Sequence, residues 1–432
     1  MATKSFLLYP VIVQISIDIP KMYVYSVAIQ FLQQAILEMR HEFMIPRSLG
    51  EKIKTLVKGF PVISLTGPRQ SGKTTLVQAL FPGYAYANLE NIDEREAAEE
   101  DPVRFLRIHA RTGVIIDEAQ KVPALFSYLQ GIVDASGEMG RFILTGSQNF
   151  LLLEKITQSL AGRTAICHLM PFGIPELDKA ELLPDNLDRC IFYGGYPVLY
   201  DRKIHPTDYF PSYIQTYIDR DVRSIKNIGD LSTFRRFVKL CAGRVGQLLN
   251  LSSLGNELGI NYKTVRSWIS ILEASFIIFL LTPHHKNFNK RLVKQPKLYF
   301  YDTGLLCSLL DIRSEKQLTS HYLRGSIFES LVVSEYIKLR YHHGLQSNAF
   351  FWRNSTGHEI DLLIEDGEYL KAVEIKSGET LNPDLFKGLK YYKRLSGEQD
   401  NNFILIYGGD NQQIRKDGQA IGWKSMASLL NN

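Results

Sequence analysis

Cysteine is scarce in this sequence, and long apolar runs are missing. Only four cysteines occur among 432 residues, and no two of them form a C-x-x-C pair. Neither a zinc site nor a disulfide framework is therefore indicated, and this usage fits a reducing cytoplasm. The apolar stretches 5–17 and 22–37 are separated by Asp18, Pro20 and Lys21. Neither reaches the ~18–20 residues of a membrane span, so we expect a cytoplasmic protein without a membrane partner.

The N-terminal 43 residues fit no clear domain. We expect either a peripheral strand and helix or an extension upstream of a true start at Met44. The rest of the chain is long enough for two or three domains, because a domain takes roughly 100–200 residues. Hydrophobic residues make up 45% of the chain and charged residues 22%, as is typical of globular proteins.

Positive charge is concentrated in one segment. The net charge is +5, but residues 231–297 hold eleven Lys and Arg residues against two Glu residues. This segment therefore carries +9 and the rest of the chain −4. Because such a local field attracts polyanions, the segment is predicted to contact DNA. The eleven basic residues are Arg235, Arg236, Lys239, Arg244, Lys263, Arg266, Lys286, Lys290, Arg291, Lys294 and Lys297.

A G-x-x-x-x-G-K-T pattern occupies residues 67–74, between a β-branched run at 60–66 and a helix-forming run at 75–80. Strand, loop and helix in this order predict a phosphate loop whose glycines aim backbone N–H groups inward at the start of a helix. Lys73 would reach the β- and γ-phosphates of ATP, and the Thr74 hydroxyl would hold Mg²⁺. The predicted nucleotide-binding residues are Gly67, Pro68, Arg69, Gln70, Ser71, Gly72, Lys73, Thr74 and Thr75.

Two further apolar strands are predicted to end beside this loop. The run at 112–117 ends in Asp117 and Glu118. Asp117 would orient Mg²⁺ through its water shell, and Glu118 would polarise the attacking water. The run at 141–149 ends in polar side chains, of which Ser147 is the favoured γ-phosphate sensor and Gln148 the second choice.

Strands and helices alternate over residues 44–185, which predicts a parallel sheet with the nucleotide at the carboxyl ends of its strands. A strand between the two that carry the phosphate loop and Asp117 is typical of sheets that use such a glutamate. Arg163 precedes the strand predicted at 165–169. It would either stabilise charge on the transferred phosphoryl group, within the chain or across a subunit boundary, or form a surface ion pair.

These motifs resemble the AAA-superfamily ATP-binding proteins of bacteria and archaea, which carry a C-terminal domain of unknown function. The resemblance covers roughly residues 44–430 and implies ATP binding; a homo-oligomer is compatible with it. Besides the phosphate loop, it rests on Phe60-Pro61-Val62, Asp117-Glu118-Ala119-Gln120, Leu144-Thr145-Gly146-Ser147, Ser159-Leu160-Ala161-Gly162-Arg163, Gly194-Gly195-Tyr196-Pro197 and the run from Tyr213 to Val222.

The basic segment has the pattern of a winged helix. Two helices, at 248–260 and 261–274, precede two short strands that flank a basic loop at 283–296, and helix-turn-helix units bind DNA in this way. Ser252 is the expected N-cap of the first helix. A protein-interaction or lid element is the alternative. The second helix is expected to expose Asn261, Lys263, Arg266 and Ser267.

The last third of the chain places acidic residues and a lysine on adjacent predicted elements. Alternation puts Glu374 and Lys376 on one face of a strand and Asp361 on its hairpin neighbour, after a helix with Glu329. This pattern resembles the PD-(D/E)XK nuclease core. The resemblance implies that Asp361 and Glu374 ligate Mg²⁺, that Glu329 is an outer or second ligand, and that Lys376 positions or activates water. Ile360 replaces the usual proline, and both cleavage and a non-cleaving role stay open.

The predicted fold class is α/β: a P-loop NTPase parallel sheet, a winged-helix segment and a C-terminal restriction-endonuclease-like domain. The predicted function is MgATP hydrolysis coupled to DNA binding or processing. The alternative is a nucleotide-controlled switch whose nuclease-like domain binds DNA or protein without cleavage. The predicted ranges are an N-terminal extension at 1–43, the ATPase domain at 44–185, a helical linker at 186–230, the winged helix at 231–310 and the nuclease-like domain at 311–432.

Overall fold

The computed structural model describes residues 45–109, 112–147, 156, 158–222, 228–284, 293–367, 369–397 and 402–430. The predictions for the N-terminal extension, for Gln148 and for most of the basic loop concern residues outside these ranges. Within these ranges, no helix combines the length and the apolar character that crossing a bilayer requires.

A five-stranded parallel sheet forms the N-terminal part of the fold. Its strand order is β2-β3-β4-β1-β5, so β4 separates the strand of the phosphate loop from the strand of Asp117, and β2, which lies between these two strands in the chain, is at the edge of the sheet. The elements in chain order are α1 (Leu49–Leu56), β1 (Val62–Thr66), α2 (Lys73–Leu80), β2 (Ala85–Asn88), α3 (Ile92–Glu100), α4 (Pro102–His109), β3 (Val114–Asp117), α5 (Ala124–Ser136), β4 (Phe142–Gly146) and β5 (Thr164–His168).

Both faces of this sheet are covered, which explains why its central strands are continuous apolar runs. Every residue of β1, β3 and β4 is buried. Ile63 and Leu65 pack on one face with residues of α1 and α2. Val62 and Leu144 pack on the other face with residues of α4 and α5. Helix α3 is an acidic helix that was not predicted from the sequence, and the side chain of its N-cap Asn91 accepts a hydrogen bond from the backbone N–H of Asp93.

A helical region and a β-hairpin follow the parallel sheet. The helices are α6 (Ile174–Lys179), α7 (Leu187–Tyr193), α8 (Pro197–Asp201), α9 (Pro206–Tyr213), which continues as a π-helix (Ile214–Val222), α10 (Leu231–Ala242), α11 (Leu251–Leu258) and α12 (Tyr262–Ala274). Strands β6 (Ile278–Leu281) and β7 (Lys297–Phe300) pair antiparallel, with Leu280 opposite Leu298.

Two helices and a hairpin therefore lie where they were expected, but the predicted N-cap was wrong. Helix α11 begins at Leu251, so Ser252 lies in its first turn and Asn250 is the N-cap. The Asn250 side chain accepts a hydrogen bond from the backbone N–H of Ser253.

The C-terminal part is a separate six-stranded mixed sheet with the order β12-β13-β11-β10-β9-β8. Strand β13 continues the sheet parallel to β11. The elements are α13 (Thr303–Leu309), α14 (Glu315–Thr319), α15 (Arg324–His342), β8 (Ala349–Arg353), β9 (Glu359–Asp366), β10 (Tyr369–Lys376), α16 (Lys387–Ser396), β11 (Phe403–Tyr407), β12 (Gln413–Arg415) and β13 (Gly418–Gly422).

Helix α15 and the mixed sheet share a core with the helical region. Val332 and Val333 of α15 belong to the same apolar cluster as Val373 of β10 and Trp268 of α12. The opposite face of the sheet packs on α16, through Leu389. Residues 46–432 accordingly form one compact unit, and α15 lies in its interior.

Candidate functional site

The phosphate loop follows β1 and leads directly into α2. Gly67 has a φ of +150°, and a Cβ at this position would lie 2.1 Å from the carbonyl oxygen of Leu169. Gly72, the N-cap of α2, has a φ of 91°. A side chain would be strained at both positions, so the glycines of the motif serve this backbone path. The loop thus presents the free N–H groups of the start of α2, as a phosphate site requires.

Lys73 lies inside the loop. Its Nζ donates hydrogen bonds to the carbonyl oxygens of Gly67, at 3.1 Å, and Pro68, at 2.8 Å. Burial lowers the pKa of Lys73 to about 8, although the nearby charges of Glu118 and Asp117 oppose this shift. The lysine therefore lies close enough to Asp117 and Glu118 to interact with their charges.

Asp117 joins β3 to the phosphate loop. Its Oδ2 accepts hydrogen bonds from the hydroxyl of Thr74, at 2.7 Å, and of Tyr86, at 3.0 Å, and its Oδ1 accepts one from Thr145. Sequence reasoning missed Tyr86 and Thr145. Thr145 lies at the end of a predicted strand and could have been found, but Tyr86 belongs to the edge strand β2. Burial, and then the charge of Asp117, raises the pKa of Tyr86.

Glu118 adopts a left-handed backbone conformation with a φ of 52°, which is unfavourable for a residue with a side chain and is often retained at functional sites. Its Oε2 accepts hydrogen bonds from Gln120 Nε2, at 2.5 Å, and from Ser147 Oγ, at 3.3 Å. Ser147 therefore contacts the proposed catalytic carboxylate, and its role as a phosphate sensor stays a prediction.

Arg163 forms the surface ion pair that was one of its two expected roles. Its Nε lies 2.5 Å from Oδ1 of Asp134, and its Nη2 lies 2.9 Å from Oδ2. The Arg163 side chain is 33% exposed. A role in stabilising the transferred phosphoryl group would require Arg163 to leave Asp134, and that role stays a prediction.

Other loop residues are held by the surrounding chain. Arg69 lies 3.7 Å from Glu90. The side-chain oxygen of Gln70 accepts a hydrogen bond from the Tyr209 hydroxyl at 2.8 Å.

A second polar site lies at the hairpin of β9 and β10. Oδ2 of Asp361 accepts a hydrogen bond from the backbone N–H of Ile375 at 2.8 Å. The Nζ of Lys376 lies 2.6 Å from Glu374 Oε1 and 3.6 Å from Asp361 Oδ2. The structure thus brings together three of the four residues that the nuclease-like pattern predicted.

Glu329, the fourth predicted residue, approaches the same site from α15. Carboxylate oxygens of Glu329, Glu359 and Asp361 lie within 4.8 Å of one another. Sequence reasoning missed Glu359, although it precedes Asp361 by two residues and alternation places both on one face of β9. We call Glu329, Glu359, Asp361 and Glu374 the acidic cluster.

The position of Lys297 contradicts its predicted place in a DNA-binding surface. It was counted with the residues of a DNA-binding surface, but its side chain is only 3% exposed and its Nζ lies 2.8 Å from Glu329 Oε1. The same ammonium group also pairs with Glu359. Lys297 is the first residue of β7, so the hairpin adds a cation to the acidic cluster.

The electrostatics of the acidic cluster follow from burial and crowding. Burial, and then the charge of Asp361, raises the pKa of both Glu329 and Glu374 to about 7, although the neighbouring lysines lower it. Burial would lower the pKa of Lys376, but Asp361 and Glu374 raise it overall. Like charges held this close favour a bound cation or a proton.

Both sites suit Mg²⁺, which prefers oxygen ligands. At the phosphate loop, the Thr74 hydroxyl and the Asp117 carboxylate already meet. In the acidic cluster, Glu374 Oε2 is buried and has no hydrogen-bond partner among the described residues. Glu374 Oε2 therefore offers a cation ligand beside Asp361, although Lys376 pairs with both residues through other contacts. Glu329 and Glu359 both pair with Lys297.

The predicted DNA-contacting helix is α12. Asn261, Lys263 and Arg266 are exposed, and Ser267 is half-buried. The Asn261 side chain also serves as N-cap and accepts a hydrogen bond from the backbone N–H of Thr264. Two other basic residues of the segment, Lys239 and Arg244, pair with Asp311 and Glu257. Less positive charge is therefore free on this surface than the sequence count indicates.

Three family models match the chain in series. An AAA domain matches residues 59–177, domain of unknown function DUF8612 matches residues 184–316, and domain of unknown function DUF4143 matches residues 324–426. The AAA match includes the phosphate loop, Asp117 and Glu118, and it supports nucleotide binding there.

Two curated relatives are uncharacterized proteins, one from Mycobacterium bovis and one from Mycobacterium tuberculosis. Each is 28% identical over 372 residues, which are 85% of this chain and 80% of the relative. A solved Walker-type ATPase of Pyrococcus abyssi gives a TM-score of 0.40 at 15% identity and covers 62% of this chain and 96% of that chain. The RuvB Holliday junction branch migration motor of Thermotoga maritima gives a TM-score of 0.29 at 17% identity and covers 54% and 89%. The family match and the parallel sheet together make residues 59–177 an AAA-type P-loop domain.

Proposed function

We propose that the chain binds MgATP at the phosphate loop and hydrolyses it. The observation that carries this proposal is the 2.7 Å hydrogen bond between Thr74 and Asp117. It joins the loop to the end of β3, so that the two oxygen ligands expected for Mg²⁺ meet beside Lys73.

Each residue of the site has a role in this proposal. Lys73 and the N–H groups at the start of α2 bind the phosphates, and Thr74 and Asp117 would hold Mg²⁺. When bound, Mg²⁺ supplies positive charge that balances the phosphates. Glu118 orients the attacking water, and Ser147 holds the Glu118 carboxylate through its hydroxyl. Positioning and charge stabilisation supply most of the rate in reactions of this class.

The test is the steady-state ATPase rate of wild type and Lys73→Ala, with Lys121→Ala as an exposed lysine control in the same domain. We expect Lys73→Ala to reduce turnover at least about a hundredfold, the scale of losing one charge-stabilising donor. Undiminished hydrolysis by Lys73→Ala would refute the site assignment.

We further propose that hydrolysis is coupled to DNA binding or processing. The exposed Lys263 and Arg266 of α12 support DNA contact, and such contact weakens with salt. Repeating the ATPase measurement with single- and double-stranded DNA, at low and moderate salt, distinguishes the candidates. Stimulation by DNA favours this coupling. Slow turnover that ignores DNA, together with a discrete oligomer, favours the alternative of a nucleotide-controlled switch.

A second candidate activity is metal-dependent cleavage of phosphodiesters in the acidic cluster. Glu374 Oε2 favours it, because this atom is buried near Asp361 and Lys376 and has no hydrogen-bond partner in the part of the chain that the structure describes. In this proposal Asp361 and Glu374 hold the cation, and Lys376 positions water beside the phosphodiester. The measurement is the product pattern after incubation of DNA with Mg²⁺ or Mn²⁺. Cleavage by wild type but not by Glu374→Ala/Lys376→Ala is expected, and identical products from both proteins would show that the cluster is inert.

A further inference from the structure

A buried arginine outside the recognised motifs forms a hydrogen bond with the backbone of the phosphate loop. Arg47 precedes α1 and is 9% exposed. Its Nη1 donates a hydrogen bond to the carbonyl oxygen of Ser71 at 2.8 Å, and its Nη2 donates one to the carbonyl oxygen of Met170 at 2.5 Å. Its Nε lies 3.2 Å from Oε1 of Glu176. One guanidinium group therefore joins the loop to two positions in the segment after β5.

The segment 169–176 supports the loop at a second place. The carbonyl oxygen of Leu169 lies against Gly67, where a Cβ would approach it to 2.1 Å. Gly67 and Ser71 stand near the two ends of the loop. A shift of segment 169–176 would therefore move both ends, and a shift of the loop would move this segment.

Three residues of helix α15 form polar contacts with the same segment. Glu335 Oε2 accepts a hydrogen bond from the backbone N–H of Ile174 at 2.6 Å. Lys338 Nζ lies 3.4 Å from the carbonyl oxygen of Phe172. His342 Nδ1 lies 3.5 Å from Glu176 Oε2. Because all three contacts are buried, we expect a shift of segment 169–176 to displace α15 in the same direction.

We propose that Arg47 is a positioning residue that fixes the phosphate loop to segment 169–176 and thereby couples nucleotide binding to helix α15. The inference rests on the proposed ATP site, and it adds a residue and a connection that the motifs do not contain. Lysine cannot replace Arg47 fully, because one ammonium group cannot reach three acceptors in the fixed geometry of a guanidinium group.

Helix α15 also links segment 169–176 to the acidic cluster. Glu329 lies on α15, 13 residues before His342, which corresponds to about 20 Å along the helix. A displacement of the His342 end would be transmitted to Glu329 because a buried helix moves as a rigid element. If bound nucleotide changes the affinity of the acidic cluster for a ligand by some factor, that ligand must change the affinity for nucleotide by the same factor.

The first test measures the affinity for a fluorescent ATP analogue with Mg²⁺. We expect Arg47→Met to bind at least about tenfold more weakly, and Arg47→Lys to recover part of the loss. Arg244→Met is the matched control, because Arg244 also bonds a carboxylate and a carbonyl, those of Glu257 and Leu240, and lies in neither the phosphate loop nor α15. A folded Arg47→Met protein whose affinity is within twofold of wild type would overturn the positioning role.

Removing Arg47 alone leaves the buried Glu176 without its guanidinium partner, which can prevent folding. The double variant Arg47→Met/Glu176→Gln removes both charges and keeps the shape of Glu176. Its thermal unfolding midpoint shows whether it folds. We expect the same tenfold loss of affinity in this variant, and an affinity within twofold of wild type again contradicts the inference.

The second test follows amide hydrogen exchange in residues 335–342 with and without the ATP analogue. We expect the analogue to slow exchange there in wild type but not in Arg47→Met/Glu176→Gln. An unchanged rate in wild type, despite measured binding, would overturn the coupling and leave the proposed ATP site intact. If wild type and Lys73→Ala both fail to bind the analogue, the proposed function itself is wrong.

Discussion

Asp117 shows how much of the candidate site depends on single side chains. Three hydroxyl groups, from Thr74, Tyr86 and Thr145, donate hydrogen bonds to this one carboxylate. They fix its position before any ligand arrives, so little reorganisation is needed on binding. The sequence predicts Thr74 because it belongs to a motif. It does not predict Tyr86, because only the pairing of β2 with β3 brings this residue to Asp117.

Buried histidines give the fold a dependence on pH. Burial lowers the pKa of His342 and of His168 to about 4, from an ordinary value of 6.5. Glu176 opposes the shift of His342, whereas Arg47 and Lys338 reinforce it. Between pH 6.5 and 4 the unfolded chain binds more protons than the folded chain, so stability falls as the pH falls.

We therefore predict that the free energy of unfolding decreases by about 2 kcal/mol per buried histidine between pH 7 and pH 5. Urea unfolding at pH 7 and pH 5 measures this change. His342→Gln should reduce the difference between the two pH values, whereas His343→Gln, which alters the exposed neighbour, should not. Equal differences in all three proteins would contradict the prediction.

At the scale of elements, regular patterns were predictable and tertiary contacts were not. The β-branched runs gave β1, β3 and β4, and alternation placed Glu374 and Lys376 correctly on β10. The position of Lys297 could not be inferred, because the hairpin carries it to α15, 32 residues further along the chain. Strand β13 was missed because its sequence, Gly418–Gly422, has glycine at both ends and lacks the β-branched pattern of a strand.

Lys297 leads to a prediction about the acidic cluster. Its ammonium group balances Glu329 and Glu359, so its removal leaves Glu329 without this cation and Glu359 with Arg353 as its remaining ion-pair partner. We predict that Lys297→Met binds Mn²⁺ more tightly than wild type, or binds one more ion per chain, in the absence of nucleotide. Titration followed by electron paramagnetic resonance measures the bound fraction.

Lys371→Met is the control for this prediction, because Lys371 is a buried lysine of the hairpin of β9 and β10 and pairs with Asp366, outside the acidic cluster. Removing it should leave Mn²⁺ binding unchanged. The prediction fails if Lys297→Met and wild type bind Mn²⁺ with the same affinity and the same number of ions.

At the scale of the whole molecule, the three segments that match family models lie in one compact unit. The AAA domain supplies the phosphate loop, the middle segment supplies α12 and Lys297, and the C-terminal segment supplies α15 and the acidic cluster. In our proposal the two polar sites are not independent. Helix α15 contributes Glu329 to the acidic cluster and contacts segment 169–176, which supports the phosphate loop. The order of the segments was predictable from motifs, but this connection depends on buried side chains that no motif contains.

The measurement that tests the ATP site most directly compares ATP binding and single-turnover hydrolysis in wild type and Glu118→Gln, with Glu94→Gln as a control. Glutamine keeps the shape of Glu118 but cannot polarise water. We predict an ATP affinity within about threefold of wild type and hydrolysis at least about a hundredfold slower, with Glu94→Gln unaffected. Hydrolysis by Glu118→Gln at the wild-type rate, or no ATP binding by wild type in the presence of Mg²⁺, would contradict the proposed site.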